Sequence, residues 1–186
     1  AKYIDHLKNE NFNSKHLDLS SIKIIASTGS PLAEESFKYV YEHIKQDVHL
    51  TSIAGGTDMV GCLVLGNLYS KVYKGEIQGQ SLAIDVDVFT EDGKSTKDAE
   101  KGELVVKQPF PSMPVKFWGD NAGEKYHNAY FTRFRNIWHH GDFIERTSNN
   151  GFIMRGRSDA TLNPGGVRIG TSEIYQQVED IEYITE

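Results

Sequence analysis

The chain has 186 residues, 20 basic against 26 acidic side chains, a net charge of −6 and a mean hydropathy of −0.47. That length suits one ordinary domain with a sizeable core, or one domain plus a piece of another. The negative balance gives no general attraction for nucleic acid or anionic lipid, no run of 18 apolar residues exists, and AKYIDHLKNE lacks the apolar core of a signal peptide. A cytoplasmic location with no nucleic-acid and no membrane partner is therefore expected. An anionic ligand would need local positive charge, which Arg155, Arg157 and Arg168 supply around one segment. The single cysteine, Cys62, excludes an internal disulfide and lies in the apolar run from Val60 to Leu65, where a buried structural thiol is expected.

Taken in chain order, the opening residues predict a short helix with Ile4 and Leu7 on one side, and Ile22 to Ala26 a strand. The loop Ser27-Thr28-Gly29-Ser30-Pro31 follows. Phe37, Val40, Tyr41 and Ile44 then recur at helical spacing, with Ser30 as expected N-cap, Pro31 as first helical residue and Glu34 and Glu35 complementing the helix dipole. Val48 to Ile53 reads as a second strand running into a loop, Ala54-Gly55-Gly56-Thr57-Asp58. Strand, loop, helix, strand is the grammar of an α/β sheet, whose ligands sit beyond the strand C-termini.

From about Gly75 the pattern changes to short alternating strands, with Leu82, Ile84, Val86 and Val88 expected on one face and Glu91-Asp92-Gly93-Lys94 as a turn. Glu103 to Val106, Phe143 to Arg146 and Phe152 to Met154 continue it, so this half reads as an antiparallel β subdomain. Gln108 to Pro114 holds three of the five prolines and predicts a stiff, extended connection. After Arg157 come a polar joint, a hairpin around Asn163-Pro164-Gly165-Gly166, and a helix from Thr171-Ser172-Glu173 through Ile174, Val178 and Ile181. The expected units are residues 1–74 (α/β), 75–157 (β-rich) and 158–186 (a joint and the start of another domain).

Several of these segments can carry chemistry. The loop at 27–31 lies between a strand and a helix start, where free N–H groups favour polar ligands, although turn geometry alone also selects Ser, Gly and Pro. In Gly55-Gly56-Thr57-Asp58 the glycines allow close ligand approach, the hydroxyl can bond a phosphate oxygen and the carboxylate can hold Mg²⁺ through water; a capped tight turn is the alternative. His139 and His140 are adjacent on a strand and point to opposite faces, so they cannot share one metal. Asp142, expected just after a glycine turn, could accept both vicinal hydroxyls of a ribose. Tyr126, Tyr130, Phe131, Phe134 and Trp138 read as core packing. No protein nucleophile stands out, so the pattern suits binding and positioning a nucleotide.

In order, STGSP at 27–31, GGTD at 55–58, GELVV at 102–106 with HGDF at 140–143, and GRSDATLNPGGVRIGTSEIY at 156–175 resemble the adenylate-forming superfamily of acyl-CoA synthetases, luciferases and peptide-synthetase adenylation domains. The resemblance implies the C-terminal portion of a large α/β and β domain plus the start of a small C-terminal domain. It implies ATP, Mg²⁺ and CoA as ligands. Gly29, Ser30 and Pro31 would line the adenine and acyl side; Gly56 and Thr57 would contact the adenylate, and Asp58 would stand where the family usually places a magnesium-associated Glu. Asp142 would hold the ribose, assisted by Arg157, and Arg168 would approach the phosphate. Asp159 would be the pivot between adenylation and thioester formation, and Gly165 and Gly166 would flank the pantetheine tunnel.

Relatives that activate acetate place a tryptophan at the position of Gly55, so glycine implies room for a four-carbon keto acid, acetoacetate. A glycine- and threonine-rich phosphate loop and a catalytic lysine, which the resemblance also implies, are not among these residues. The chain therefore reads as a piece of a longer enzyme, inactive alone, whose partners include the missing N- and C-terminal parts. If their absence leaves an apolar face, self-association is expected. Two alternatives stay open: a ligase for another short-chain acid such as acetate, and a non-catalytic nucleotide-binding module.

Overall fold

A computed structural model describes residues 1–162, 164, 168–178 and 181. Helix α1 (Lys2–Asn9) precedes β1 (Ile24–Ser27), and β2 (His49–Ser52) pairs parallel to β1 with Ser27 opposite Ser52. A parallel pair needs a crossover, supplied here by α2 (Glu34–Tyr39) and its π-helical continuation Val40–Ile44. Phe37, Val40, Val48 and Leu50 bury together with Leu32, and Ile4, Tyr41 and Ile44 pack against them. The helical spacing thus marks the buried face, as expected.

The start of α2 is a correction. Its cap is Ala33 at φ −66 and ψ 152, with no side-chain cap bond, so Ser30 and Pro31 lie in the irregular segment ahead of the helix. Burial of Leu32, 5% exposed, accounts for the extended run that delays the first turn. A second correction concerns Gly55 and Gly56. Ala54–Gly56 is a strand, β3, which turns at Thr57–Val60 into antiparallel β4 (Gly61–Leu65), and β5 (Gly79–Gln80) joins β4.

The rest is a four-stranded antiparallel sheet in sequential order: β6 (Val86–Phe89), β7 (Lys101–Val106), β8 (Trp138–Arg146) and β9 (Phe152–Arg157). Ile84, Val86 and Val88 are buried as the alternation predicts, but Leu82 is 96% exposed, because Ala83 at φ 62 turns the chain before the strand begins. One face of the sheet carries Val88, Leu104, Val106, Trp138 and Ile144, packed on Met59, Leu63 and Val64 of the β3–β4 hairpin. Helix α3 (Glu124–Tyr130) and Phe131 close that core through Tyr126, Tyr130 and the Trp138 ring. The Gln108–Pro114 segment has neither helix nor strand, but it is not the extended connection expected: a turn at Pro111 and Ser112, closed by the Met113 amide on the Phe110 carbonyl at 3.0 Å, bends it, and Phe110 lies edge-on against Trp138.

The opposite face carries Glu103, Val105, His139 and Phe143, which alternation places together. The chain beyond β9 covers it: a single 3₁₀ turn at Ser158–Ala160, a paired Leu162 and Ile169 that bracket the expected hairpin, and α4 (Thr171–Val178). The Glu173 carboxylate accepts from the Gly170 amide at 2.8 Å and binds Lys101 of β7, which ties α4 to the sheet. Ile174 is 39% and Ile181 46% exposed, so the apolar positions expected along this helix do not form a buried face.

Leu104 is fully buried at the centre of the larger core. Leu104→Ala is expected to lower the unfolding free energy by about 2–5 kcal/mol in urea titration, the range for a buried leucine that leaves a cavity.

Candidate functional site

Strand β8 delivers two carboxylate environments, one on each face. On the hairpin side, Asp142 is buried and lies directly across from Arg157 of β9. It sits inside the strand and not after a turn; Gly141, at φ 81, forms a local irregularity where the β7–β8 register shifts. A Cβ at 141 would come within 2.7 Å of the Arg157 guanidinium, so glycine permits the Asp142–Arg157 approach. Arg157 Nη1 donates to Asp142 Oδ1 at 3.0 Å and to the His140 carbonyl at 3.2 Å. Burial pushes the Asp142 carboxyl up, opposed by the charges of His140 and Arg157.

Trp138 Nε1 lies 3.3 Å from His140 Nδ1, and His140 Nε2 stands 3.7 Å from Asp142 Oδ2. The hairpin lies against this histidine, since a Cβ on Gly56 would stand 3.1 Å from His140 Cε1. Beyond the glycines, Asp58 accepts from the Tyr130 hydroxyl through Oδ2 and from the Met59 amide at 3.1 Å through Oδ1. Tyr130 stacks on Trp138 at 3.6 Å and 12°. Burial first, and the Asp58 bond second, push the Tyr130 hydroxyl above its ordinary range, so it remains a donor. Asp58, Tyr130, Trp138, His140, Asp142 and Arg157 thus form one continuous line. GGTD and HGD, far apart in sequence, meet along this line.

Other expected site residues are placed differently. Gly29, Ser30 and Pro31 follow β1, whose Ser27 carbonyl accepts from the Ile53 amide at 2.9 Å beside the start of β3. Among the described residues, none of the three hydrogen-bonds Asp58, Asp142 or Arg157. Thr57 is exposed in the hairpin turn. Asp159 is 82% exposed in the 3₁₀ turn, 3.9 Å from Arg157 Nε. Gly165 and Gly166 lie outside the described residues. A Cβ on Gly55 would lie 2.2 Å from the Gly61 carbonyl oxygen and 2.6 Å from Cys62 Cα, so this glycine answers to the hairpin whatever acid is bound. The Cys62 thiol is half-buried beside that contact, and burial raises it. No group of three His, Cys, Asp or Glu fit to hold a metal exists among the described residues.

Arg168 does not join Asp142. It lies on the other face, where Glu103 is buried at 0% exposure. Arg168 Nη1 donates to Glu103 Oε1 at 2.6 Å, Arg133 Nη2 stands 3.3 Å from the same oxygen, and His139 Nε2 (2.8 Å) and the Ser158 hydroxyl donate to Oε2. Burial alone would raise this carboxyl, but the bonds from His139, Ser158 and Arg168 and the charge of Arg133 hold it down at about 2. Sequence reasoning quoted the GELVV segment without giving Glu103 a role, and it took Tyr130 for packing alone. A carboxylate interrupting an apolar strand was the available signal for Glu103; the Tyr130–Asp58 bond spans 72 residues and left none.

Comparison with known proteins adds identity to this geometry. The chain matches no protein-family model. It is 56% identical over 187 residues to an acetoacetyl-coenzyme A synthetase of Rhizobium meliloti, covering 100% of this chain and 29% of that protein. A solved acetoacetyl-CoA synthetase from Streptomyces lividans superposes with a TM-score of 0.90 at 36% identity, over 100% of this chain and 29% of that one. Along its whole length the chain is a homologue of acetoacetyl-CoA synthetases. It spans less than a third of the length of these synthetases. An anthranilate CoA ligase in complex with anthranoyl-AMP shares the fold at a TM-score of 0.72 and 16% identity, over 89% of this chain. The expected architecture, an α/β part followed by an antiparallel sheet as in the C-terminal part of adenylate-forming acyl-CoA ligases, is the one found.

Two outcomes follow for this synthetase homologue. Glu103 has a folded-state value near 2 against an ordinary 4.5, so its stabilisation is complete above the higher value and is lost as pH falls through that window. Chemical denaturation from pH 5 to 2 should show a steeper loss of stability in the wild type than in Glu103→Gln. Gly55→Ala should destabilise the β3–β4 hairpin, read as faster amide exchange at Gly61 and Cys62; unchanged exchange would show that the strands separate at no cost.

Proposed function

We propose that this chain forms part of an acid:CoA ligase that activates acetoacetate with ATP and passes the acyl group to CoA. In the first step a carboxylate oxygen attacks the α-phosphorus and pyrophosphate leaves. In the second, the CoA thiol loses its proton and attacks the acyl carbon, releasing AMP and acetoacetyl-CoA. The observation that supports this most strongly is whole-length homology to acetoacetyl-CoA synthetases, combined with a polar line that brings GGTD and HGD together.

Within that reading each residue has a positioning task. Asp142 keeps acceptor capacity beyond its Arg157 bond and receives the ribose hydroxyls, with Arg157, 55% exposed, beside it. Gly29, Ser30 and Pro31 line the adenine and acyl side. Gly56 and Thr57 border the adenylate, Arg168 serves the phosphate in one half-reaction, and Asp159 is the pivot. Gly165 and Gly166 flank the pantetheine path. Asp58 suits Mg²⁺: it is exposed, and each oxygen takes one donor and keeps a free lone pair. A single carboxylate plus nucleotide phosphates commonly suffices for that ion. When bound, magnesium neutralises phosphate charge; the Tyr130 hydroxyl fixes the direction of the Asp58 carboxylate. No helix among the described residues is long and apolar enough to cross a membrane, and we read the enzyme as cytoplasmic.

The acid itself is the finer question, because the close approach of Gly61 and Cys62 gives Gly55 a structural reason of its own. A different short-chain acid is accordingly the second reading. Pyrophosphate release by the full-length gene product, measured over a panel of acids, decides between them. Acetoacetate is expected to exceed acetate by about tenfold or more in kcat/KM, the scale on which a pocket discriminates small apolar differences. A preference for acetate would transfer the assignment, and no acid-dependent release would remove it. Asp142→Ala should raise the KM for ATP about tenfold, as expected for loss of a hydrogen bond to a charged group. The 186 residues alone should release no pyrophosphate.

A further inference from the structure

Asp58 and Asp142 lie at the two ends of a chain of contacts that passes through one indole. Trp138 is 2% exposed, with Phe110 edge-on at 5.4 Å and 85°, Phe131 edge-on at 6.0 Å and 84°, and Tyr126 tilted against it at 6.2 Å. These rings fix its orientation. Tyr130 stacks on the indole at 3.6 Å and 12°, and its hydroxyl donates to Asp58 Oδ2. On the other branch the indole N–H, which can only donate, lies 3.3 Å from His140 Nδ1, and the two rings are inclined by 22°. His140 Nε2 stands 3.7 Å from Asp142 Oδ2. The branches come together again at Gly56, where a Cβ would collide with Asp58 Oδ1 and stand 3.1 Å from His140 Cε1. Among the described residues, no hydrogen bond joins Trp138 to either carboxylate directly.

We propose that Trp138 is a positioning residue for two ligand-facing carboxylates at once: through the stacked Tyr130 it aims Asp58, and through its N–H and His140 it aims Asp142. The assignment of Mg²⁺ to Asp58 and of the ribose to Asp142 rests on the ligase reading above. The two branches carry different loads. Asp58 is exposed, and without the phenol its carboxylate would turn freely; one fixed donor sets the direction of the lone pairs that remain, as a ligand to a hard cation needs. Asp142 is buried and already pinned through Oδ1 by Arg157 at 3.0 Å, so the histidine branch has only Oδ2 to orient. Loss of the tyrosine branch therefore costs more than loss of the histidine branch. A single rigid plate behind both acids also fixes their separation, which one nucleotide has to match with its phosphates and its ribose.

The test uses the full-length gene product and two dissociation constants that need no turnover: that of AMP without metal, by calorimetry, and that of Mn²⁺ in the complex with α,β-methylene-ATP, by electron paramagnetic resonance. Tyr130→Phe keeps the stack and removes the hydroxyl. Mn²⁺ is expected to bind about tenfold more weakly, the scale for losing a group that orients a metal ligand, with AMP within about twofold of wild type. His140→Asn keeps an acceptor near the Nδ1 position and removes Nε2; it should do the reverse, weakening AMP about threefold and leaving Mn²⁺ within about twofold. Trp138→Phe removes the N–H and shrinks the plate, and should weaken both. A single-branch variant that moves both constants alike, or neither, would mean that the aromatic cluster serves stability alone and would overturn the proposal. If Trp138→Phe does not fold, the two single-branch variants decide by the same criteria. Wild type that binds neither probe would overturn the proposal too. Wild type that binds both but releases pyrophosphate with no acid would remove the ligase reading, while the pattern of binding would still decide the role of Trp138.

Discussion

His139 and His140 are neighbours on one strand, and strand geometry obliges them to face opposite sides of the sheet. Each meets a buried carboxylate there, Glu103 on one face and Asp142 on the other. This separation by a single layer of backbone organises the rest. The hairpin, α3 and the aromatic core pack on the Asp142 side, and the chain beyond Arg157 folds over the Glu103 side. One strand thus holds Asp142 on one face in fixed register with Glu103 on the other.

The two acids differ in how fully they are satisfied. Glu103 receives hydrogen bonds from His139, Ser158 and Arg168 and has the charge of Arg133 beside it, enough to outweigh burial and keep it ionised far below the usual carboxylate range. Asp142 has one direct hydrogen bond from Arg157 and a more distant histidine, and burial wins, so its carboxyl rises. A buried carboxylate with spare acceptor capacity can be completed by donors from outside, as the vicinal hydroxyls of the proposed ribose would do. A carboxylate already saturated by the protein cannot bind a ligand, but it can hold two parts of the chain together. The same residue chemistry therefore leaves spare acceptor capacity on one face and a saturated clasp on the other.

Local patterns were legible wherever neighbouring residues decide the outcome. The spacing of Phe37, Val40, Tyr41 and Ile44, the alternation of Ile84, Val86 and Val88, and the turn at Asp92-Gly93 each reflect short-range geometry. The failures share a different cause. Ser30 lost the cap position because Leu32 had to reach the core, Leu82 left its expected face because Ala83 reverses the chain, and Gly55 serves a strand pairing with Gly61 and Cys62. In the site, the structure brings GGTD and HGD together, with Gly56 against the His140 ring. The Tyr130–Asp58 bond and the Glu103 cluster depend on contacts across 72 and 65 residues, which spacing does not encode.

The central claim is that the Asp142 face of this sheet binds the nucleotide. A crystal structure of the full-length protein with a non-hydrolysable acetoacetyl-adenylate analogue tests it most directly. The account predicts the ribose hydroxyls on Asp142. A ribose held elsewhere would contradict it.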